Sequence, residues 1–367
     1  MKNERRTDPI LDGRCVELIK ALCEAKAPSG FEDEVHPIAR EYVKDFADCE
    51  RDSTMNLYIY PRTNKGNRPV LMLDAHSDEV GFMIRAIKPN GTLAVVSLGG
   101  WSMQSVPGTP VFVRTVKGSW IRGMICAKPI HHMSADERKA LPAMKDLAID
   151  IGAFDEAEAR RMGAAEGEPA VAATAFSVDA RGVMFGRAFD CRIGCAALLE
   201  TMRRIYESGI EPKVDIVGVL SAQEEVGERG AKVAVGRVKP QLALCFEGAP
   251  ADDTVFDGYM RSTSMGFGPM LRYMDNSLIC NPRYMRWTLS LAKKNGIEVQ
   301  SAVREAGGNN GAIIQVSEGG IPAAVAGIPV RYAHSPSCVC DYFDFEQAVK
   351  LGVETVKEID EETIKTF

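Results

Sequence analysis

Several apolar runs in this 367-residue chain end in residues that could do chemistry. RPVLMLDAHSDE ends on His76 and Asp78, VDIVGVLSAQEE on Glu224 and Glu225, QLALCFEG on Glu247, and AAVAGIPVRYAHSP on His334. Asp190 lies in FGRAFDCRIGCA, immediately before a helical pattern. Imidazoles and carboxylates in this mixture suit Zn²⁺ and related divalent ions. Two cations held close together need an anionic bridge to offset their repulsion, and a bidentate carboxylate such as Asp190 would serve. His76 with Glu247, and Glu225 with His334, would complete the two ligand sets. Three ligand carboxylates against two dications leave a slightly positive centre, suited to acidifying water. Asp78, two residues past His76, points to the same side of an extended chain. It is expected to take the imidazole's other N–H and fix its tautomer. Glu224 adjoins a ligand without being needed as one. It is expected to accept a water proton and pass it to a leaving amine.

Each element alone has a plainer reading. A single histidine at a strand end is more often a satisfied polar residue than a ligand. QEE at a helix start is favourable charge on the helix dipole, and FDCR can be an ordinary Asp N-cap. The whole set is harder to explain this way, because burying so many carboxylates without cations is costly or forces protonation. Of the other histidines, His36 in FEDEVHPIAREYVKDFA reads as a helix-surface residue. His131 and His132 read as loop packing, with reach into a neighbouring subunit's site as the functional alternative.

The elements that must position these residues follow from the pattern. Residues 1–50 read mostly as helix, and NLYIYPR and RPVLMLDAH as strands separated by the NKGN turn. From about 85 to 177, short β-rich runs punctuated by Gly and Pro suggest a small β-domain or barrel, with MSADERKALPAM as a helical excursion. After 185, strand and helix alternate: helix DCRIGCAALLETMRRIYESG, strand VDIVGVLSA, helix EEVGERGAKVAVGRV, strand QLALCFEGA. The expected fold is therefore α/β with a mainly parallel sheet. Residues 1–84 and 178–367 form the catalytic domain and 85–177 an inserted β-rich domain. Open sheets of this kind bind ligands at the carboxyl ends of their strands, where these residues fall.

Composition narrows the partners. The net charge of −6 and the absence of a basic block leave no nucleic-acid footprint. No run of 18 apolar residues suggests a membrane span, and MKNERRTDPILDGRCVELIK has no apolar stretch after its basic residues, unlike a secretory signal. Ten scattered cysteines without a CxxC read as reduced thiols of a cytoplasmic protein.

In order along the chain, DAHSDEVGFMI, GGW, VPG, AKPIHHMSADER, GRAFDCRIGCA, SAQEEVGERGA, GFGPMLRYMDNSLICNP and IPVRYAHSP resemble the motifs of the M42 metallo-aminopeptidases. These are the tetrahedral (TET), deblocking and glutamyl aminopeptidase-like enzymes. The resemblance implies metal ligands His76, Asp190, Glu225, Glu247 and His334, with Glu224 as general base and Asp78 supporting His76. It also implies a PDZ-like or barrel dimerisation insert, with dimers assembling into a hollow dodecamer. The name endoglucanase, given to some members, fits poorly, since glycoside hydrolysis normally uses a carboxylate pair without two metals. Three departures stand out. Cys191 follows Asp190 where relatives often carry Asp or Asn. Glu247 replaces the commoner Asp, with Asp252 and Asp253 as fallbacks. AGGNNGA replaces GGTDA, so Asn309 and Asn310 stand where an aspartate near the substrate's amino end is expected, or else simply shape a Gly-rich turn.

The sequence thus leads to an aminopeptidase acting on short peptides with two divalent ions, zinc first and cobalt or manganese as substitutes. A related metal-dependent deacylase or carboxypeptidase is the alternative in the same class. A catalytically silent assembly homologue is the rival from another. Free-amine against N-blocked peptides separates the first pair, and metal content separates the second.

Overall fold

The computed structural model describes residues 10–367. The expectation about a secretory signal rests partly on residues 1–9 and there lies outside the described residues. Helices α1 (Gly13–Glu24) and α2 (Val35–Val43) precede strands β1 (Ala47–Arg51), β2 (Leu57–Pro61) and β3 (Val70–His76). Six strands follow: β4 (Gly81–Ile87), β5 (Leu93–Leu98), β6 (Pro110–Arg114), β7 (Trp120–Cys126), β8 (Ala148–Asp150) and β9 (Pro169–Ala172), with α3 (Glu156–Arg161) between the last two. The chain continues with β10 (Ser177–Val178), β11 (Val183–Gly186), α4 (Phe189–Glu207), β12 (Asp215–Ser221), α5 (Arg229–Val238), β13 (Leu242–Pro250) and β14 (Met270–Met274). It closes with α6 (Pro282–Lys294), β15 (Gln300–Val303), α7 (Asn310–Gln315), β16 (Ala323–Arg331), β17 (Cys338–Asp341), α8 (Tyr342–Glu358) and α9 (Glu361–Ile364).

The large sheet is mixed, with a parallel centre in the order β12-β3-β13-β16. Antiparallel strands flank it, β2 and β1 on one side and β17, β11 and β10 on the other. A short β14–β15 pair joins through β16. β3 shows why the centre is parallel. Its apolar run is buried on both faces, as a strand covered by helices on each side must be. Leu71, Leu73 and Ala75 enter a core shared with α1, α2, α4, α6 and α8. Met72 enters the opposite core, under α5 and α7. The expected α/β class, with helices on both faces, is what the chain adopts. Because the four central strands run the same way, their C-terminal ends lie along one edge; Ser221 sits opposite His76, and Glu247 opposite Gly327.

Between β3 and β10, the strands β4-β5-β8-β7-β6-β9 close into a barrel. Its own core holds Phe82, Leu93, Val111, Val113, Ile125 and Ile149. No helix among the described residues is long and apolar enough to cross a membrane.

Three local expectations need correction. MSADERKALPAM forms turns rather than a helix. Ser134 and Glu137 exchange hydrogen bonds in the manner of a capping box, but no helix follows them and the next helical piece is one 3₁₀ turn at Met144–Asp146. The helix predicted from Glu224 begins only at Arg229, because side chains elsewhere capture the backbone N–H groups of residues 222–225. His36 is not on the helix surface. It is buried, with Nε2 3.0 Å from the Met55 carbonyl, and burial lowers its pKa.

Candidate metal centre

His76 ends β3, and Glu247 lies within β13 on the neighbouring strand. Glu224 and Glu225 occupy the loop after β12, His334 the turn after β16, and Asp190 the distorted first turn of α4. The structure brings all of them together. His76 Nε2 lies 3.1 Å from Asp190 Oδ1, 3.3 Å from Glu247 Oε1 and 3.9 Å from Glu224 Oε2. His334 Nε2 lies 3.3 Å from Asp190 Oδ2 and 3.3 Å from Glu225 Oε2. Two ligand-like groups result, His76–Asp190–Glu247 with the Cys191 thiol beside them, and Asp190–Glu225–His334, and they share Asp190. Gly248 makes this approach possible: a Cβ there would stand 2.6 Å from the Asp190 Cα.

The donor set fits divalent cations. Glu225 Oε1 is buried without a hydrogen-bond partner, and the atoms facing one another include four carboxylates. Burial pushes the Glu224 and Glu225 carboxyls well above the usual range, and neighbouring acids add to it. Burial opposes charge on His76, yet Cys191, Glu247, Glu224 and Asp190 outweigh it and raise its pKa. Burial likewise opposes charge on Asp190, but the two imidazoles hold its pKa low. So many acids in one enclosed space call for positive charge between them.

Asp78 stands behind His76, with Oδ1 3.4 Å from Nδ1, long for a hydrogen bond. Its firm contacts are elsewhere. Oδ1 accepts from the Glu224 N–H at 2.9 Å, and Oδ2 accepts from Ser29 Oγ at 2.6 Å and the Glu225 N–H at 3.2 Å. Glu79, the last acid of the DAHSDE run, belongs to a different network. It pairs with buried Arg187 and Arg192 and accepts from the Ala27 N–H.

The fallbacks are occupied elsewhere. Asp252 accepts from Ser262 and Thr263, and Asp253 pairs with Arg331. Cys191 is buried, joined to Asp190 by a cis peptide bond, and its thiol donates to the Phe246 carbonyl. Asn309 and Asn310 do not reach the cleft, which corrects the idea that they meet the substrate's amine. Asn309 caps α7 and donates to Asp275. Asn310 donates to Asp74 and Ser221 beneath β3 and β12. His131 and His132 are exposed on a barrel loop.

The cleft over the centre encloses about 370 Å³. Sequence reasoning missed the residues of its far wall, Glu228, Arg272 and Arg304. Arg272 is buried and paired with Asp275 at 2.7 Å. Arg304 donates to the Pro250 carbonyl and has no carboxylate within ion-pair distance among the described residues. Burial and Arg272 lower its pKa. Burial, then Asp275 and Glu247, raise that of Glu228 to about 7. No periodicity marks such wall residues, which come from three separate segments. The GGW motif packs against the turn that carries His334. Trp101 stacks on Phe82 and donates to the Gly81 carbonyl, Ser102 donates to the His334 carbonyl, and Gly100 lines the cleft.

Histidines and carboxylates gathered at one sheet edge, in a chain that also carries a closed barrel, make a candidate metal centre. The family model for M42 glutamyl aminopeptidases matches residues 56–351, and the chain belongs to that family. The chain is similar in structure to a TET aminopeptidase from a marine-sediment Thaumarchaeota archaeon, at 37% identity and TM-score 0.93, covering 97% of this chain and 99% of that one. The Pyrococcus horikoshii TET1 peptidase, which can assemble into a tetrahedron or a large octahedral shell, aligns at 30% identity and TM-score 0.84, over 94% of this chain and all of its own. The glutamyl aminopeptidase of Lactococcus lactis is 32% identical over 93% of this chain and 98% of its own length.

Proposed function

We propose that this chain removes N-terminal residues from short peptides, using two divalent cations held by His76, Asp190 and Glu247 on one side and Asp190, Glu225 and His334 on the other. The observation that carries this reading is the shared Asp190, whose two oxygens each face one histidine. When bound, such ions would polarise the scissile carbonyl and acidify water between them. Glu224 lies beside this point without belonging to either ligand group. Its carboxylate takes the proton of the attacking water and returns it to the departing amine, so that the cleaved peptide leaves neutralised. Asp78 holds the loop that carries Glu224 and Glu225 and keeps His76 facing the centre through Nε2.

The far wall favours an acidic first residue. Arg304 has no ion-pair partner among the described residues, and a substrate carboxylate would supply one. Glu228 on the same wall opposes this, though burial, then Asp275 and Glu247, raise its pKa to about 7 and so weaken its charge. The barrel, from Gly81 in β4 to Ala172 in β9, is read as an inserted dimerisation domain within the catalytic domain; the expected bounds of 85–177 cut through β4 and take in part of β10. The chain self-associates, as the TET1 relative does. Ten cysteines carried as free thiols suit a reducing cytoplasm. The test is hydrolysis of a panel of aminoacyl-amides by protein reconstituted with Zn²⁺, Co²⁺ or Mn²⁺, beside a chelated control. Chelator-sensitive release of N-terminal residues, acidic ones first, is expected. Cleavage of N-blocked peptides alone would replace this reading with the deacylase one.

A further inference from the structure

The loop carrying Glu224 and Glu225 is unusual in how it is held. Four successive backbone N–H groups are taken by side chains from other parts of the chain. Ala222 N–H goes to Asn56 Oδ1 at 2.9 Å, Gln223 N–H to Glu32 Oε1 at 3.1 Å, and Glu224 and Glu225 N–H to Asp78. Gln223 adopts a left-handed backbone, φ 56°, which costs a non-glycine residue energy unless its surroundings impose it. It is also the turning point of the loop, because the next two side chains enter the metal centre.

Glu32 is the group that grips this turning point. It belongs to the 3₁₀ turn Glu32–Glu34 after PSG and is fully buried. Its Oε1 also accepts from the Gly30 N–H at 2.8 Å, which ties the grip to the segment whose Ser29 hydroxyl donates to Asp78. The other oxygen, Oε2, is buried and has no partner. Removing this carboxyl would orphan the Gly30 and Gln223 N–H groups, so it stabilises the fold; the amide it holds is the one that turns the chain into Glu224 and Glu225.

We propose that Glu32 is a positioning residue for hydrolysis: by fixing the Gln223 amide it aims the Glu224 carboxylate at the attacking water and Glu225 at its cation. This rests on the reading of Glu224 and Glu225 given above. Small errors in the placement of a proton-transfer group lower turnover steeply, while substrate affinity depends on the cleft wall.

The test compares wild type with Glu32→Gln and Glu32→Ala in two measurements. Glutamine keeps an acceptor oxygen for both amides, whereas alanine removes it. Steady-state kinetics with metal-loaded protein should give kcat about 10- to 100-fold lower for Glu32→Ala, from loss of a hydrogen bond to an otherwise orphaned amide, with KM little changed. Glu32→Gln should restore kcat to within a few-fold. Hydrogen–deuterium exchange on metal-free protein should show faster exchange at residues 222–225 in Glu32→Ala alone. The exchange result does not depend on activity: if wild type cleaves no aminoacyl-amide, the functional reading fails and exchange still judges Glu32. Unchanged exchange in Glu32→Ala, wild-type kcat in that variant, or a Glu32→Gln protein as impaired as Glu32→Ala would overturn the positioning role. A loss of melting temperature in both variants with kcat intact would mark Glu32 as structural only.

Discussion

Asp190 Oδ1 lies 3.1 Å from His76 Nε2, two side chains brought together from the end of β3 and the first turn of α4. The second Asp190 oxygen faces His334 at 3.3 Å. If one carboxylate serves two cations, its loss must affect both. Asp190→Asn is therefore expected to bind neither ion tightly, whereas His334→Ala should retain one. Metal content after reconstitution and gel filtration reads this directly. Wild type should also gain about 2.7 kcal/mol for each occupied site at a metal concentration one hundred times Kd, a gain absent in Asp190→Asn. Two equivalents of metal in Asp190→Asn would remove the bridge from the account.

Glu224 makes the complementary case. It stands 3.9 Å from His76 Nε2 yet lies in neither ligand group. Glu224→Gln preserves shape and should retain both ions and the melting temperature, while kcat falls about 10²- to 10⁴-fold. A variant with near-wild-type turnover would show that another group moves the proton.

The wall of the cleft predicts selectivity. Arg304→Gln removes the one guanidinium there that has no carboxylate at ion-pair distance among the described residues. Its kcat/KM for a glutamyl-amide should fall about 10- to 100-fold, the scale of a charge-assisted hydrogen bond, and that for a leucyl-amide should hold. Equal losses on both substrates would mean that Arg304 only shapes the wall.

The sequence made the strand-end residues legible because strand ends and metal-type side chains are both local signals. RPVLMLDAH announces a buried strand and its polar end within one run. What it hid was which acids share a neighbourhood. Asp74, His76, Asp78 and Glu79 crowd one segment, yet only His76 joins the candidate ligands. Glu79 turns to two arginines and Asp74 to Asn310. Such partners come from distant parts of the chain and leave no periodicity. The late start of helix α5 has the same origin, since EEVGERG has helical composition and the captured amides override it. For the asparagine pair the sequence left two readings open, because a chain position near a site does not fix a side chain's direction; Asn309 serves the local backbone as the cap of α7.

That last point is testable. Asn309 accepts from the Gly311 N–H at 2.8 Å and donates to Asp275 at 2.8 Å, away from the cleft. Asn309→Ala should lose about 1–2 kcal/mol of stability as a helix cap and buried hydrogen bond disappear. KM for free-amine substrates should not move. A raised KM at unchanged stability would return Asn309 to the amine-binding role.

Glu32 carries the final prediction. Burial first, and then the charge of Asp78, raise its pKa from 4.5 to about 8, against the pull of the Gly30 and Gln223 amides. A folded-state pKa raised above the unfolded value means that the folded protein keeps a proton the unfolded chain releases. Stability therefore falls as pH climbs from about 4.5 to about 8, where the folded chain must either hold that proton or bury a second charge beside Asp78. Glu32→Gln has no such proton. With metal saturating in both proteins, its melting temperature relative to wild type should rise from about pH 5 to about pH 9. The difference should flatten once Glu32 is ionised in both states. A difference independent of pH would mean that the Glu32 carboxyl is already ionised in the folded protein at low pH. The partnerless Oε2 would then need a donor other than its own proton.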